Sequence, residues 1–169
     1  RRSSAASDVY KRQAIYLHEM DRFRRTLLQS LLSPVLSTSL YFIVFGSVIG
    51  DYVESIDGLS YGSYIVPGLL MLTLLTQSIS NTSFGIFFPK FNGTIYEILA
   101  APISTFEVVL AFVGAGATKT LIVGVVIFIT SLFFVDVTVK YPLLMIFLLV
   151  LVAFTFALFG FLIGLMSSN

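Results

Sequence analysis

Residues 91–104 read Phe-Asn-Gly-Thr-Ile-Tyr-Glu-Ile-Leu-Ala-Ala-Pro-Ile-Ser, a short amphipathic piece between two long apolar runs. Thr94 and Glu97 have the spacing of a capping box, in which the hydroxyl bonds the backbone N–H three residues on and the carboxylate reaches back. Ile95, Ile98 and Leu99 then share one helical face at i, i+3 and i+4. Pro102 cannot continue a helix and disfavours helical geometry at Ala101, so the piece stops there. Ser104 and Glu107 repeat the capping-box spacing and open the next helix. A helix of about two turns does not stand alone in water, so its neighbours must hold it. It is either a well-capped surface linker or a docking helix that meets a partner at the membrane face.

The flanking runs decide the class. Of 169 residues, 57% are apolar and 11% charged, with a mean hydropathy of +0.96. Soluble domains carry about 25% charged residues, so this is membrane composition. With no Cys there is neither a disulfide framework nor a thiolate metal site. No basic stripe is present, and nothing points to nucleic acid.

Upstream, Tyr16, Met20, Phe23, Leu27 and Leu31 form one helical stripe in residues 14–33, with His18, Asp21, Arg22 and Arg25 largely off it. A basic amphipathic helix beside a span reads as interfacial; the alternative is a cytoplasmic helix packed on protein. Pro34 predicts a bend. The apolar run to Ile49 reaches span length only with part of residues 27–33. Residues 50–64 are a polar loop with Asp51, Glu54 and Asp57 and no Lys or Arg.

Residues 65–88 are the second expected span, with Pro67 in its first turn and Pro89 and Lys90 ending it. Its middle is unusually polar, and Thr73, Gln77, Ser80 and Asn81 are the candidate path-lining residues. Such groups need partners in hydrocarbon, so they either hydrogen-bond between helices or line a path. Downstream, 106–135 is apolar for longer than a bilayer core requires, so its first third is expected outside the core. Lys119 then lies near the inner boundary, where its amine can snorkel outward; the alternative is a functional intramembrane charge. Residues 136–142 are a short loop and 143–166 the fourth span. There Gly160 and Gly164 form a GxxxG pair for helix packing, within the chain or at a dimer seam.

Lys and Arg in the flanks set orientation. Arg22, Arg24, Arg25 and Lys90 flank one side and Lys140 the other, so the amino end, the 91–104 piece and Asn169 are expected in the cytoplasm. Residues 1–13 (RRSSAASDVYKRQ) stand apart in composition and resemble translated sequencing-adapter sequence, so they are set aside as a non-native segment. Without them, 6 Lys+Arg stand against 8 Asp+Glu, a net charge of −2, and the orientation is unchanged.

Chemistry is absent from the pattern. Residues 114–120 look like a phosphate loop, but Thr118 stands where that motif needs glycine and no strand precedes it. No histidine–carboxylate cluster has zinc-ligand spacing and no serine lies near a base. The expectation is no catalytic residue, no metal and no cofactor in this chain.

Three motifs carry a family resemblance. The run 34–50, with Leu40-Tyr-Phe-Ile-Val-Phe-Gly46 and Ile49-Gly50, resembles the first span of ABC-2 type transport permeases. Tyr64-Ile-Val-Pro-Gly-Leu69, opening the second span, resembles them too, and so does Glu97-Ile-Leu-Ala-Ala-Pro102 after it. The resemblance covers essentially 14–169 and is close to bacterial multidrug- or polysaccharide-type export permeases. It implies an all-α polytopic helix bundle in the bacterial inner (plasma) membrane. Such permeases have six spans, an amino-terminal interfacial helix and a cytoplasmic coupling helix between spans two and three. It further implies pairing with a second permease copy, as homodimer or heterodimer, and with separate ATP-binding-cassette ATPase subunits that hold ATP and magnesium. On this resemblance Thr94, Ile95, Glu97, Ile98, Leu99 and Pro102 couple the chain to the ATPase, and 14–32 is the interfacial helix. The cargo is then a drug, lipid or polysaccharide. Four of the six spans are legible, so 14–169 is expected to be a truncated transmembrane domain that does not transport by itself. The reading from another class is a gradient-driven carrier or a non-transport membrane scaffold, but no internal repeat supports it.

Overall fold

The computed structural model describes residues 2–49, 52, 53, 55–100, 102 and 104–167. Expectations at Gly50, Asp51, Glu54, Ala101 and Asn169 lie outside them. The elements are α1 (Arg2–Arg25), α2 (Leu27–Tyr41) running into a π-helical segment (Phe42–Ile49), α3 (Tyr61–Phe91), α4 (Thr94–Ala100), α5 (Thr105–Phe134) and α6 (Pro142–Met166). Four stretches are long and apolar enough to cross a membrane: Leu27–Gly46, Tyr61–Phe91, Thr105–Phe134 and Pro142–Met166. The all-α polytopic bundle is therefore the fold observed. Among the described residues the one extended pairing is a bridge between Ile56 and Leu59, closed by Asp57 and Gly58 at φ 50 and 79, the left-handed pair of a tight hairpin turn.

Several boundaries differ from the sequence reading. The break before the first span is at Thr26, not Pro34. Thr26 bonds its hydroxyl to the carbonyls of Arg22 and Phe23 at 3.1 and 3.3 Å, which ends α1, while Pro34 sits buried inside α2. The second span begins earlier and ends later than 65–88. Ser60 caps it, its Oγ accepting from the Ser63 N–H at 3.3 Å, so Pro67 falls in the second turn. Pro89 and Lys90 lie within the last turn, and the stop is Gly93 at φ 77, a left-handed position that suits glycine. That same Gly93 starts α4, its carbonyl accepting from Tyr96 N–H at 3.1 Å. Thr94 is the first helical residue rather than the cap, so the capping box expected there is not formed, whereas the one at Ser104 and Glu107 has both of its bonds.

α3, α5 and α6 pack together, and α1 and α2 lean on α5. One cluster joins Leu70 and Leu74 of α3 to Val123 and Ile127 of α5. A second joins Ile86, Phe112, Ala117, Ala153, Ala157 and Phe161 across all three helices. Lipid tails are as apolar as these side chains, so close packing rather than water exclusion holds the helices. Small residues supply it. At Gly160 an added Cβ would stand 2.5 Å from the Ile79 carbonyl oxygen, and at Gly164 2.8 Å from that of Ser83, so both face α3 of the same chain. Buried Ser78 adds an interhelical bond, donating to the Ala153 carbonyl at 2.6 Å.

Candidate functional site: a charged cleft and the short helix at its end

The apolar stripe on the first two helices faces the bundle, with Phe23 buried and Tyr16, Met20, Leu27 and Leu31 half-buried. Glu19 lies three residues after Tyr16 and four before Phe23, on that stripe, and is only 3% exposed. A carboxylate there needs a partner. Lys119, near the middle of α5, supplies it with Nζ 2.7 Å from Glu19 Oε2, and is itself 5% exposed. Arg22 approaches the other carboxylate oxygen at 3.5 Å and stacks its guanidinium 5.4 Å from the centre of the Phe88 ring. Beside the pair, the Tyr16 hydroxyl donates to Thr118 Oγ1 at 3.1 Å.

This arrangement corrects the snorkelling expectation for Lys119. An amine reaches outward when it lacks a partner inside; this one has a carboxylate at salt-bridge distance. Sequence reasoning passed over Glu19 altogether. The available signal was its position, since a charge on the apolar stripe must point inward and a lone cation in a facing span is its natural complement.

Between α1 and α3 lies a cleft of about 850 Å³. Glu19 and Lys119 are at its wall with His18 and Arg22; α3 contributes Ser80, Asn81, Phe84 and Phe88, and α5 adds Phe112. The volume falls within the range of small-molecule pockets, and aromatic faces and a few polar groups share the wall. Of the four candidate path-lining residues, Ser80 and Asn81 line the cleft. Thr73 and Gln77 lie in earlier turns of the helix: the Thr73 hydroxyl bonds back to the Leu69 carbonyl at 2.9 Å, and Gln77 Oε1 accepts from Asn81 Nδ2 at 3.5 Å.

α4 closes one end of the cleft, where Thr94 and Ile98 line it. Ile95 and Ile98 pack against the second cluster, that of Ile86, Phe112 and Phe161, which anchors a helix too short to persist alone. Tyr96, Glu97 and Leu99 point away from the bundle, Tyr96 at 74% and Leu99 at 63% exposure. Leu99 therefore does not join the two isoleucines in contact with the core, and Pro102 is exposed beyond the end of the helix. At the C-terminal end of α3, beside α4, Lys90 donates from Nζ to the carbonyls of Leu165 and Ser167 at 2.9 and 2.6 Å, tying that end to the last turn of α6. Among the described residues no group of His, Asp or Glu side chains is placed to hold a metal ion.

Comparison with known proteins fits this picture. The chain matches the ABC-2 type transporter family over residues 10–169. It is 37% identical over 157 residues to the inner membrane transport permease YadH of Escherichia coli, covering 93% of this chain and 61% of that protein. It is 22% identical over 121 residues to Nodulation protein J of Azorhizobium caulinodans, covering 71% of this chain and 48% of that one. It thus spans less than two thirds of the length of these relatives. No solved structure shows a significant match. A family match over nearly the whole chain and four membrane-length helices lead to one conclusion: this chain belongs to the ABC-2 type transporter family.

Proposed function

We propose that this chain is the membrane-spanning part of an exporter permease driven by ATP hydrolysis in a separate ATP-binding-cassette subunit. The observation that carries the reading is the two-sidedness of α4. Ile95 and Ile98 hold it on the bundle core, while Tyr96, Glu97 and Leu99 present an aromatic ring, a carboxylate and an apolar side chain outward. A helix anchored on one face to the cluster that joins α3, α5 and α6, and open on the other, transmits a push from a bound protein into the bundle. α4 is then the coupling helix and Glu97 its charged contact, with Pro102 setting where it ends. A second permease copy completes the path, the amino terminus and α4 lie in the cytoplasm, and the cargo belongs to the drug, lipid or polysaccharide class.

The test uses the whole permease reconstituted with its ATPase subunit. Glu97→Ala and Glu97→Arg are expected to lower substrate-stimulated ATP turnover while leaving membrane insertion intact. Unchanged turnover together with unchanged subunit association removes Glu97 from the mechanism. Transport by the whole permease without any ATPase subunit favours a gradient-driven carrier instead.

A further inference from the structure

α1 rests on the bundle by a narrow footing. Among its described side chains only Glu19 and Phe23 are buried. Besides the large cleft it borders a smaller groove, which Leu17 of α1 shares with Leu110 of α5. Apolar contact along such a seam gives weak register, because each turn of one helix offers the other a similar surface, and the neutral Tyr16–Thr118 hydroxyl bond beside it adds little. A buried ion pair differs. Displacing α1 by one turn would leave a carboxylate and an ammonium unpaired in low dielectric, which is far costlier than a repacked leucine. The Glu19 carboxylate is enclosed from two helices, by Lys119 Nζ at 2.7 Å and by Gly85 of α3, where an added Cβ would stand 3.6 Å from Oε2. Arg22 is the third charge at this point, 3.5 Å from the same carboxylate.

We propose that Glu19 and Lys119 form a register lock: the pair fixes where α1 sits on α5, and so sets the width of the cleft that both side chains line. Its role is to position α1, and it stands on geometry independent of the exporter reading. An ionic contact suits this task better than an apolar one of equal volume, which would hold the helices together without choosing one alignment.

The chain contains no Cys, so an introduced pair of thiols reports on this seam alone. Leu17→Cys with Leu110→Cys, treated with a short bifunctional thiol reagent in intact membrane vesicles, is expected to crosslink in the otherwise unaltered chain. Adding Lys119→Met is expected to lower the yield about tenfold, and the swap Glu19→Lys with Lys119→Glu, made together with Arg22→Met so that the new lysine meets no cation, to restore it. The double variant Glu19→Met/Lys119→Met is expected to stay inserted but to lose its single alignment. It then crosslinks also one turn away, in an Asp21→Cys/Leu110→Cys reporter that stays unlinked in the native background. Resistance to alkaline extraction shows which variants are inserted, and if the swap is not, the methionine pair decides alone. A methionine pair that crosslinks only at Leu17, as strongly as the native pair, overturns the lock. So does an inserted swap that fails to restore the yield.

Discussion

Gly160 of α6 lies against the backbone of Ile79 of α3, so close that a Cβ would stand 2.5 Å from the carbonyl oxygen and 2.8 Å from the Cα of Ile79. The obstacle is main chain, which cannot step aside as a flexible side chain can. Gly160→Val therefore pushes two spans apart. The expected cost is about 1–3 kcal/mol of stability, read as a lowered unfolding temperature in detergent. Gly114→Ala is the control: nothing lies within 4 Å of the added methyl, and the change is expected to be neutral or mildly stabilising.

Lys90 satisfies two carbonyls at the end of α6, where four have no partner within the helix and the dipole favours a cation. Lys90→Met is expected to cost about 1 kcal/mol and to speed amide hydrogen exchange in the last turn of α6. Equal exchange in the variant would show that the lysine contributes nothing to that end.

On α4 the two faces should respond oppositely. Ile98→Asp places a carboxylate against the cluster of Ile86, Phe112 and Phe161 and is expected to release the helix, seen as new proteolytic cleavage between α3 and α5. Tyr96→Ala and Leu99→Ser remove exposed side chains and are expected to change stability by less than about 0.5 kcal/mol. If both classes of variant are cleaved alike, α4 is not anchored by its isoleucines.

Neighbouring polar positions on α3 should differ in access. Ser80 is exposed in the cleft, whereas Ser78 is buried and bonded to Ala153. A thiol at Ser80→Cys is expected to react readily with a polar maleimide in permeabilised vesicles, and one at Ser78→Cys to stay protected. Fast reaction at Ser78→Cys would mean that α3 and α6 are not packed as described.

The helices themselves were legible in the sequence because their signals are local. Apolar length marks a span, and Ser104 with Glu107 marks a start. The stripe of Tyr16, Met20 and Phe23 marks one apolar helix face, but bilayer and protein cover such a face equally well, and only the packing on α5 showed which does. Boundaries set by competing local signals were read less well. Pro34 and Pro89 suggested breaks, yet both are carried inside helices. The breaks fall where Thr26 and Gly93 offer the backbone another set of hydrogen bonds or a left-handed residue.

The sequence by itself determined that this is a membrane helix bundle with four apolar helices and a short helix between the second and third, together with the family to which it belongs. Hydropathy and helical period act within one segment, so no fold is needed to read them. Only the tertiary structure decided which polar groups meet. Lys119 had no partner within reach along the chain, and a lysine near a membrane boundary reads as one that snorkels outward. Packing α1 on α5 brings Glu19 to 2.7 Å from it, although 100 residues separate the two. The same packing puts Ser80 and Asn81 on the cleft while Thr73 turns back on its own helix. Charge pairing depends on distance in space, and distance in space between two helices is fixed by how their surfaces interlock, not by either helix alone.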